Sequence, residues 1–524
     1  MSARDRSLER ALLFNFAIHG LALLGMAAFL LPALPGGSDA PDAERIAYIA
    51  AHPWLFRLGW LPWQLCAVAD LWLAIAMVRV AWVQRVPAIG VLVLTIAAIV
   101  PDQYAQAVWI TEGVALAQTD ATAYLGLERA LFPLTAGYGA LGYTIAALGW
   151  TYCFAKAGTW SRALSILSVT TWATMFVAVI APLLPEGSRP SSKFVSVANA
   201  IGFFQMQIWL FLVAEYVLRR ARPYEAHGRF ARWRHPDRWL GRIWNLLANS
   251  RVVDAFLQPT PELTMRSDIA DVIYVNYLVP AQLAASLVPP GLELQRLGPD
   301  RTHALFTFLT YRHGHFGFAF LGPLRRFCPS PMQTNWRIHV ENPVTKHRGI
   351  YFVSNAITST TYALFARLTT EGMPMHVMRG ELAHREGRLR LVLDPGVGSA
   401  PDVELEVTKS EEPVLEGPWK ECFGTWRGFL EYCVPQDRSM SSQPLKSRIS
   451  RHEINLGIPL DGCVPYAGTV TSRAARAIAG DAAPLCFVVP NVAFTFSLEA
   501  YDHPEYQRGN DRDDEQARRS TYVP

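Results

Sequence analysis

Long apolar runs fill the first 218 positions of the chain, whereas positions 263–500 show short alternating runs broken by Pro and Gly. A helix that crosses a bilayer needs about 20 mostly apolar residues. Segments 11–33, 58–78, 131–155, 163–184 and 194–218 reach that length. A sixth, 86–110, is strongly apolar as far as Val100 and then meets Pro101, Asp102 and Gln103. Together they predict an all-α bundle of six transmembrane helices. The first run is too long for the core of a cleaved leader and is read as a retained helix.

In the second half the period changes to two. Strands are predicted at Ala270–Leu278, Ala304–Tyr311, Thr334–Val340, Gly349–Val353, His376–Ala383, Leu389–Leu393, Val403–Val407, Lys446–Ile454 and Pro490–Leu498. Helices are predicted over Pro280–Leu287, Thr360–Thr369 and Thr425–Tyr432, the first stopped by Pro289, Pro290 and Gly291. Many strands with few helices point to an α+β sheet or barrel. The polar remainder, 501–524, reads as a disordered tail. The expected organisation is therefore a membrane domain (1–218), a basic juxtamembrane linker with an interfacial helix (219–262), a soluble domain (263–500) and that tail.

Charge orients the bundle, because basic residues favour the cytoplasmic side. Arg4, Arg6 and Arg10 precede the first span, Arg79 and Arg85 follow the second, and Lys156 and Arg162 follow the fourth. Asp39, Asp42 and Glu44 occupy one alternate loop, and Asp102, Glu112, Asp120 and Glu128 are assigned to the next. This places both termini in the cytoplasm of a bacterial inner membrane. After the sixth span, arginines from Arg219 to Arg242 interleave with Trp233, Trp239 and Trp244. Such a segment suits anionic lipid headgroups, or simply fixes the orientation of the last helix. A patch held against a bilayer is poorly placed for nucleic acid. Seven cysteines without a C-x-x-C pair fit reduced thiols rather than a disulfide framework.

Polar residues within spans are costly and mark structure or function. His19 and Asp70 each lie roughly ten residues, about 15 Å, from the cytoplasmic edge and are expected to pair, with Asn15 one turn from His19. The pair either ties two helices together, or relays protons or binds a cation. A lone intramembrane histidine cannot supply the paired ligands of a b-type haem.

The runs VIYVNYLVPAQLAASLVPPGLEL (Val272–Leu294), NWRIHV (Asn335–Val340), RGIYFVSNAITSTTYALFARLTTEGMPMHVM (Arg348–Met378) and RGFLEYCVP (Arg427–Pro435) follow one another in an informative order. This succession resembles the YqjF-like group of mostly uncharacterised bacterial proteins, within the acetoacetate decarboxylase-like superfamily. The resemblance implies a β-barrel-like sheet around a central pocket with a helix packed outside. It also implies a Schiff-base lysine after a Gly-aromatic-Pro sequence. Here that stretch reads Gly372-Met373-Pro374-Met375-His376, so Met375 stands at the lysine position. Methionine cannot form an imine, and Schiff-base decarboxylation is not expected.

Alternate positions on a strand share a face. Asn335, Arg337 and His339 therefore share one, as do Arg448, Ser450 and His452, and Tyr274 and Asn276. Each polar row faces either solvent or a lumen, and the resemblance implies the lumen for Arg337, where a guanidinium suits a carboxylate. His376, beside the missing lysine, is either a donor or base or a packed histidine. His313 and His315 have strand spacing for a shared metal, but further ligands cannot be named, and neither metal nor cofactor is expected. Three readings follow: a membrane-anchored module that binds or senses a small carboxylate or carbonyl compound, a membrane-bound enzyme of non-imine mechanism using His376, Arg337 and His452, or a transporter with a regulatory soluble domain.

Overall fold

A chain crossing hydrocarbon must satisfy its backbone hydrogen bonds within each segment, and an apolar run of span length does so as a helix. The computed structural model describes residues 3–35, 40–158, 160–221, 238–257, 262–369, 373, 375–435, 437–443 and 448–502. They fall in two units, Met1–Tyr224 and Glu225–Pro524. Most of the expected basic linker, including Arg222, Arg229, Arg232, Trp233 and Arg234, lies outside the described residues, as do Asp39, Gly372, Pro374 and the tail beyond Asp502.

The first unit contains α1 (Ala3–Gly25), α2 (Asp42–Ala51), α3 (Pro53–Arg79), α4 (Arg85–Val108), α5 (Val114–Thr119), α6 (Ala121–Phe132), α7 (Ala140–Lys156), α8 (Arg162–Ile180) and α9 (Ser192–Ala221). Widened π-type turns at Met26–Leu30, Trp109–Gly113 and Pro133–Gly139 prolong α1 and α4 and join α6 to α7. Six of the resulting helices are long and apolar enough to cross a membrane. The segment with the weakest sequence signal extends unbroken from Arg85 to Thr119, so Pro101 does not end it. Only Asp120 separates it from the next helix, and its carboxylate caps α6 by accepting from the Thr122 and Ala123 amides at 3.0 Å.

Neighbours α1–α3–α4–α7–α8–α9–α1 close a ring of helices. Small residues bring α4 and α7 together. A Cβ on Gly142 would stand 2.7 Å from the Ala98 Cβ, and one on Gly149 2.4 Å from a Val91 methyl. These positions are two turns apart on one face of α7, a seam of the kind that lets backbones approach in a membrane.

The second unit begins with α10 (Trp239–Ala248) and α11 (Arg251–Leu257). Its strands are β1 (Met265–Pro280), β2 (Glu293–Leu294), β3 (His303–Phe318), β4 (Met332–Glu341), β5 (Arg348–Ile357), β6 (Met375–Val377), β7 (Arg379–Arg385), β8 (Arg388–Asp394), β9 (Val403–Lys409), β10 (Arg438–Gln443), β11 (Arg448–Asn455), β12 (Val464–Thr471) and β13 (Leu485–Asp502). Its remaining helices are α12 (Ala281–Ala285), α13 (Thr360–Thr369), α14 (Gly417–Phe423), α15 (Trp426–Cys433) and α16 (Arg473–Ala479). The sheet runs β1-β3-β4-β5-β10-β11-β13, and β13 pairs back to β1, closing a ring. From β13 the sheet also continues through β12, β9, β8 and β7 as a flap. Long β13 makes this possible: its start pairs with β12, its end with β11, and it lies against β1 from Leu485 to Phe496.

The period-two alternation sorts side chains onto the two faces of the ring. Ile273, Val275, Phe306, Phe308, Trp336 and Ile338 point outward and pack under the flap with Leu389, Leu391 and Leu405. Inward residues of β1, β3 and β13 join α15 in a second core containing Tyr274, Leu309, Phe429 and Phe487. The Thr425 side chain caps α15 through the Gly428 amide at 3.1 Å. The sequence reading missed α14, α16, β2, β10 and β12, and it joined β6 and β7 into one strand. It also ended β3 at Tyr311, seven positions before the strand stops at Phe318.

Candidate functional site

The inner face of the strand ring surrounds a small cavity of about 40 Å³. Tyr274 reaches it from β1, Tyr311 from β3, Gln333, Asn335 and Arg337 from β4, and Phe352 from β5. Arg337 owes its position to a bulge. Trp336 pairs with Ser354 and Arg337 with Phe352, so Val353 is passed over in the register between β4 and β5.

Arg337 is 2% exposed, yet its Nε and Nη2 have no hydrogen-bond partner. Its guanidinium lies 5.4 Å from the centre of the Tyr274 ring, and the Tyr274 hydroxyl is also buried without a partner. Burial pushes that phenol up to about 12, against the pull of Arg337. Below it Tyr274 stacks on Phe487 at 4.4 Å.

A chain of hydrogen bonds ends at the same cavity. The Asn335 amide donates to the Tyr311 hydroxyl at 3.0 Å, and the Gln333 amide donates to Asn335 Oδ1 at 2.7 Å. Gln333 thus presents its oxygen to His313 Nε2, 3.0 Å away, which must carry the proton. His313 Nδ1 is then an acceptor facing Ser267 Oγ at 2.8 Å. Burial pushes His313 down to about 4, against the help of Gln333, so it is neutral at neutral pH. Because Tyr311 accepts from Asn335, its own proton is left to donate. The cavity therefore presents the Arg337 N–H groups and the hydroxyls of Tyr274 and Tyr311. That is a set of donors around a fixed positive charge, suited to an anion.

The other residues singled out by sequence are placed as follows. His339 is fully buried on the same face of β4, stacked 4.9 Å from Tyr432, with both ring nitrogens unpartnered. Burial and then the nearby Arg337 charge push it down to about 3. Asn276 lies deeper on β1, accepting from Thr307 Oγ1 at 2.8 Å and from Cys433 Sγ at 3.2 Å. Burial raises that thiol to about 11, so it stays protonated.

His376 and His452 do not line the cavity, so the expected convergence with Arg337 does not form there. His376 sits on β6, where its Nδ1 meets Ser399 Oγ at 3.0 Å and Arg367 Nη2 at 3.4 Å. Burial and the Arg367 charge push it down to about 3. His452 stacks on Phe496 and pairs with Glu262 at 2.6 Å. Burial works against the charge on Glu262, but bonds from His452, Gln443 and Tyr501 hold its carboxyl below the usual range. Neither do His313 and His315 form a shared pair: His313 is buried in the chain above, whereas His315 is exposed beside Asp268. Tyr311, Gln333 and Ser267 were missed by sequence reasoning, although Leu309, Tyr311 and His313 alternate on one face.

In the helical unit, His19 and Asp70 lie close enough for their charges to interact, but no hydrogen bond joins them. The Asn15 side-chain amide donates to Asp70 Oδ1 at 2.6 Å, and His19 Nδ1 faces the Asn15 backbone carbonyl, one turn back on its own helix, at 3.0 Å. Asp102 and Glu128, assigned by sequence to an outside loop, are instead buried side chains of α4 and α6. Glu128 forms a two-pronged pair with Arg45 at 2.9 and 3.0 Å. The charged partner on α2 made burial of this carboxylate possible, and a window scan of hydropathy does not reveal it.

A closed strand ring around a polar lumen, with helices outside, is the acetoacetate decarboxylase-like arrangement that the resemblance implied. Residues 266–438 match the family model DUF2071, "Uncharacterized conserved protein (COG2071)". The matched residues all lie in the strand-rich unit. No curated protein matches the chain. Among solved structures, the chain is similar to the enduracididine biosynthesis enzyme MppR, complexed with the condensation product of pyruvate and imidazole 4-carboxaldehyde. That match has 15% identity and a TM-score of 0.30, and it covers 46% of this chain and 89% of the other. Acetoacetate decarboxylase from Legionella pneumophila is similar at 11% identity, covering 46% and 88%, with a TM-score of 0.31. An acetoacetate decarboxylase-like enzyme from Sphingomonas wittichii RW1 is similar at 9% identity, covering 46% and 93%, with a TM-score of 0.33.

Proposed function

We propose that the strand ring binds a small monocarboxylate and that the protein is a membrane-anchored module for binding or sensing it. One observation carries the reading: Arg337 is buried with two guanidinium nitrogens unpartnered and two tyrosine hydroxyls beside it. A buried charge without a counter-ion is costly, and a carboxylate accepting from Nε and Nη2 removes that cost. A volume of about 40 Å³ limits the ligand to a few heavy atoms. Phe352, Phe494 and Phe496 would hold its apolar end.

Met375 is buried on β6, and Lys346, Lys409 and Lys420 are exposed. Among the described residues no lysine lines the cavity, which favours binding over imine chemistry. The six apolar helices would anchor the module, with both termini cytoplasmic in a bacterial inner membrane and the arginines from Arg219 to Arg242 on anionic headgroups. The domain limits 1–218, 219–262, 263–500 and 501–524 belong to the same proposal.

The test is calorimetric titration of the full chain in lipid nanodiscs with acetate and pyruvate, and with acetone as the uncharged control. Saturable binding of an acid but not of acetone is expected, with loss in Arg337→Met. Equal binding of acetone, or an acid isotherm unchanged by Arg337→Met, overturns the reading.

A further inference from the structure

The helix ring of the first unit encloses a cavity of about 930 Å³, within the range of roughly 300–1,000 Å³ that small organic ligands occupy. Two acids sit in its wall, and each is built the same way. On one side, Asn15 gives its amide N–H to Asp70 Oδ1. On the other, Gln106 gives its amide N–H to Asp102 Oδ1 at 2.9 Å. Donation to a carboxylate fixes which way each amide points. The carbonyl oxygens, Asn15 Oδ1 and Gln106 Oε1, are thereby left over, and both are buried without a partner. Asn15 is 0% and Gln106 3% exposed, and both line the cavity. Each side thus offers a carboxylate and a free carbonyl oxygen.

His19 borders the cavity close to Asp70, and the fixed cations around it are placed elsewhere. Arg45 is matched by Glu128 and Asp42. Arg129 and Arg189 also border the cavity, but both are exposed. Among the described residues no lysine or arginine pairs with Asp70 or Asp102. Asp102 instead collects neutral donors, Thr135 Oγ1 at 2.5 Å, Gln103 Nε2 at 3.0 Å and Tyr143 OH at 3.3 Å besides Gln106. Four neutral donors thus surround one carboxylate, and none of them carries a charge to match it. Much of the remaining wall is aliphatic, but Trp60, Trp63, Trp109, Trp150, Trp172 and Trp209 also line it. Indole faces attract cations and accommodate apolar bodies equally well. The widened turns at Met26–Leu30, Trp109–Gly113 and Pro133–Gly139 all contribute lining residues, as such turns do at functional sites.

We infer that the helix ring is a binding site for a lipophilic organic cation bearing N–H groups. Its N–H groups bond Asp70 and Asp102 and the free oxygens of Asn15 and Gln106, and its apolar body lies among the tryptophans. An inorganic cation would leave most of the volume and the indole faces without a role. An uncharged lipid would leave the two acids without one.

The test uses the full chain in phosphatidylcholine nanodiscs, with ethidium as the probe. Ethidium is a planar cation with two amino groups whose fluorescence rises in apolar surroundings. Saturable binding above that of empty discs is expected. It should weaken at least tenfold in Asp70→Asn and in Asp102→Asn, and it should persist in Asp70→Glu, which keeps the charge. Phenanthridine, the uncharged parent ring, should not displace the dye. The comparison of ethidium with phenanthridine needs no variant, so it decides the matter even if a substituted protein does not fold. No binding above empty discs, equal competition by phenanthridine, or binding unchanged in both Asn variants overturns the inference.

Discussion

Arg337 and Tyr274 come from strands separated by β3, yet the guanidinium lies 5.4 Å from the centre of the phenol ring. The ring face supplies part of the attraction that a carboxylate would otherwise provide, since cation–π contacts contribute roughly 0.5–2 kcal/mol. This leaves the edges of the guanidinium open. Removing the charge should therefore separate stability from binding. Arg337→Met is expected to stabilise the ligand-free protein, on the order of 2 kcal/mol, by deleting an uncompensated buried ion. The same change should abolish the acetate or pyruvate isotherm. Chemical denaturation beside the titration checks both, and a loss of stability would mean that the cation already has its counter-charge.

Tyr311 tests the direction of the hydrogen-bond chain. If its proton points into the cavity, Tyr311→Phe removes one bond to an ionised ligand and weakens binding about tenfold, or ~1.4 kcal/mol. Gln333→Glu should act from a distance. A carboxylate there cannot donate to Asn335, so the chain loses its fixed direction, and affinity should fall although Arg337 and both tyrosines remain.

The buried histidines set an acid limit. His313, held down to about 4, and His339 and His376, held down to about 3, are neutral when folded and titrate at an ordinary value when unfolded. Between those values the unfolded chain binds more protons, so stability is full above about pH 6.5 and falls as pH drops toward the folded values. At pH 5 each histidine should cost about 2 kcal/mol. Denaturation midpoints recorded from pH 7 to pH 5 should show this slope, and His339→Gln should flatten it by about a third.

In the helical unit the Arg45–Glu128 pair is buried on both sides, whereas the Asp42 side chain is 58% exposed. Glu128→Gln should cost about 3 kcal/mol, because it strands a buried guanidinium. Asp42→Asn should cost less than about 1 kcal/mol. Thermal unfolding in nanodiscs ranks the two, and equal effects would contradict the assignment.

Gly142→Val tests the seam between α4 and α7. Its Cβ would stand 2.7 Å from the Ala98 Cβ, so the helices must separate. Overpacking of this kind costs about 1–3 kcal/mol. A paired Ala98→Gly change should recover part of the loss, readable as a rise in the same thermal midpoint.

What was legible in the sequence followed from periodicity. The long apolar runs fixed the number of candidate spans. Alternation on β4 separated Asn335, Arg337 and His339 from Trp336, Ile338 and Val340, and the structure places these rows on opposite faces of the ring. What stayed hidden depends on partners remote in sequence. Asp102 reads as a loop residue because it follows Pro101, yet Thr135 and Tyr143 bond it inside the helix ring. His376 sits next to the expected lysine position, but β6 pairs in parallel with the far end of β5, opposite Asn355 to Ile357, away from the cavity-lining Phe352. The bulge that aims Arg337 is a register shift between two strands, and neither strand shows it alone.

The strand ring is closed unevenly. β1 and β13 stay in register from Met265 to Asn276, but among the described residues β5 and β10 meet only where Ser439 faces Ile350 and Met440 faces Tyr351. A hoop yields at its shortest weld. Ile350 is itself a wall of the cavity. Brief parting of that parallel joint would open a slot into the chamber, and amide exchange should be fastest along it. The rate at which a ligand enters would then be governed by the coming and going of a few backbone bonds, whereas its affinity is governed by Arg337.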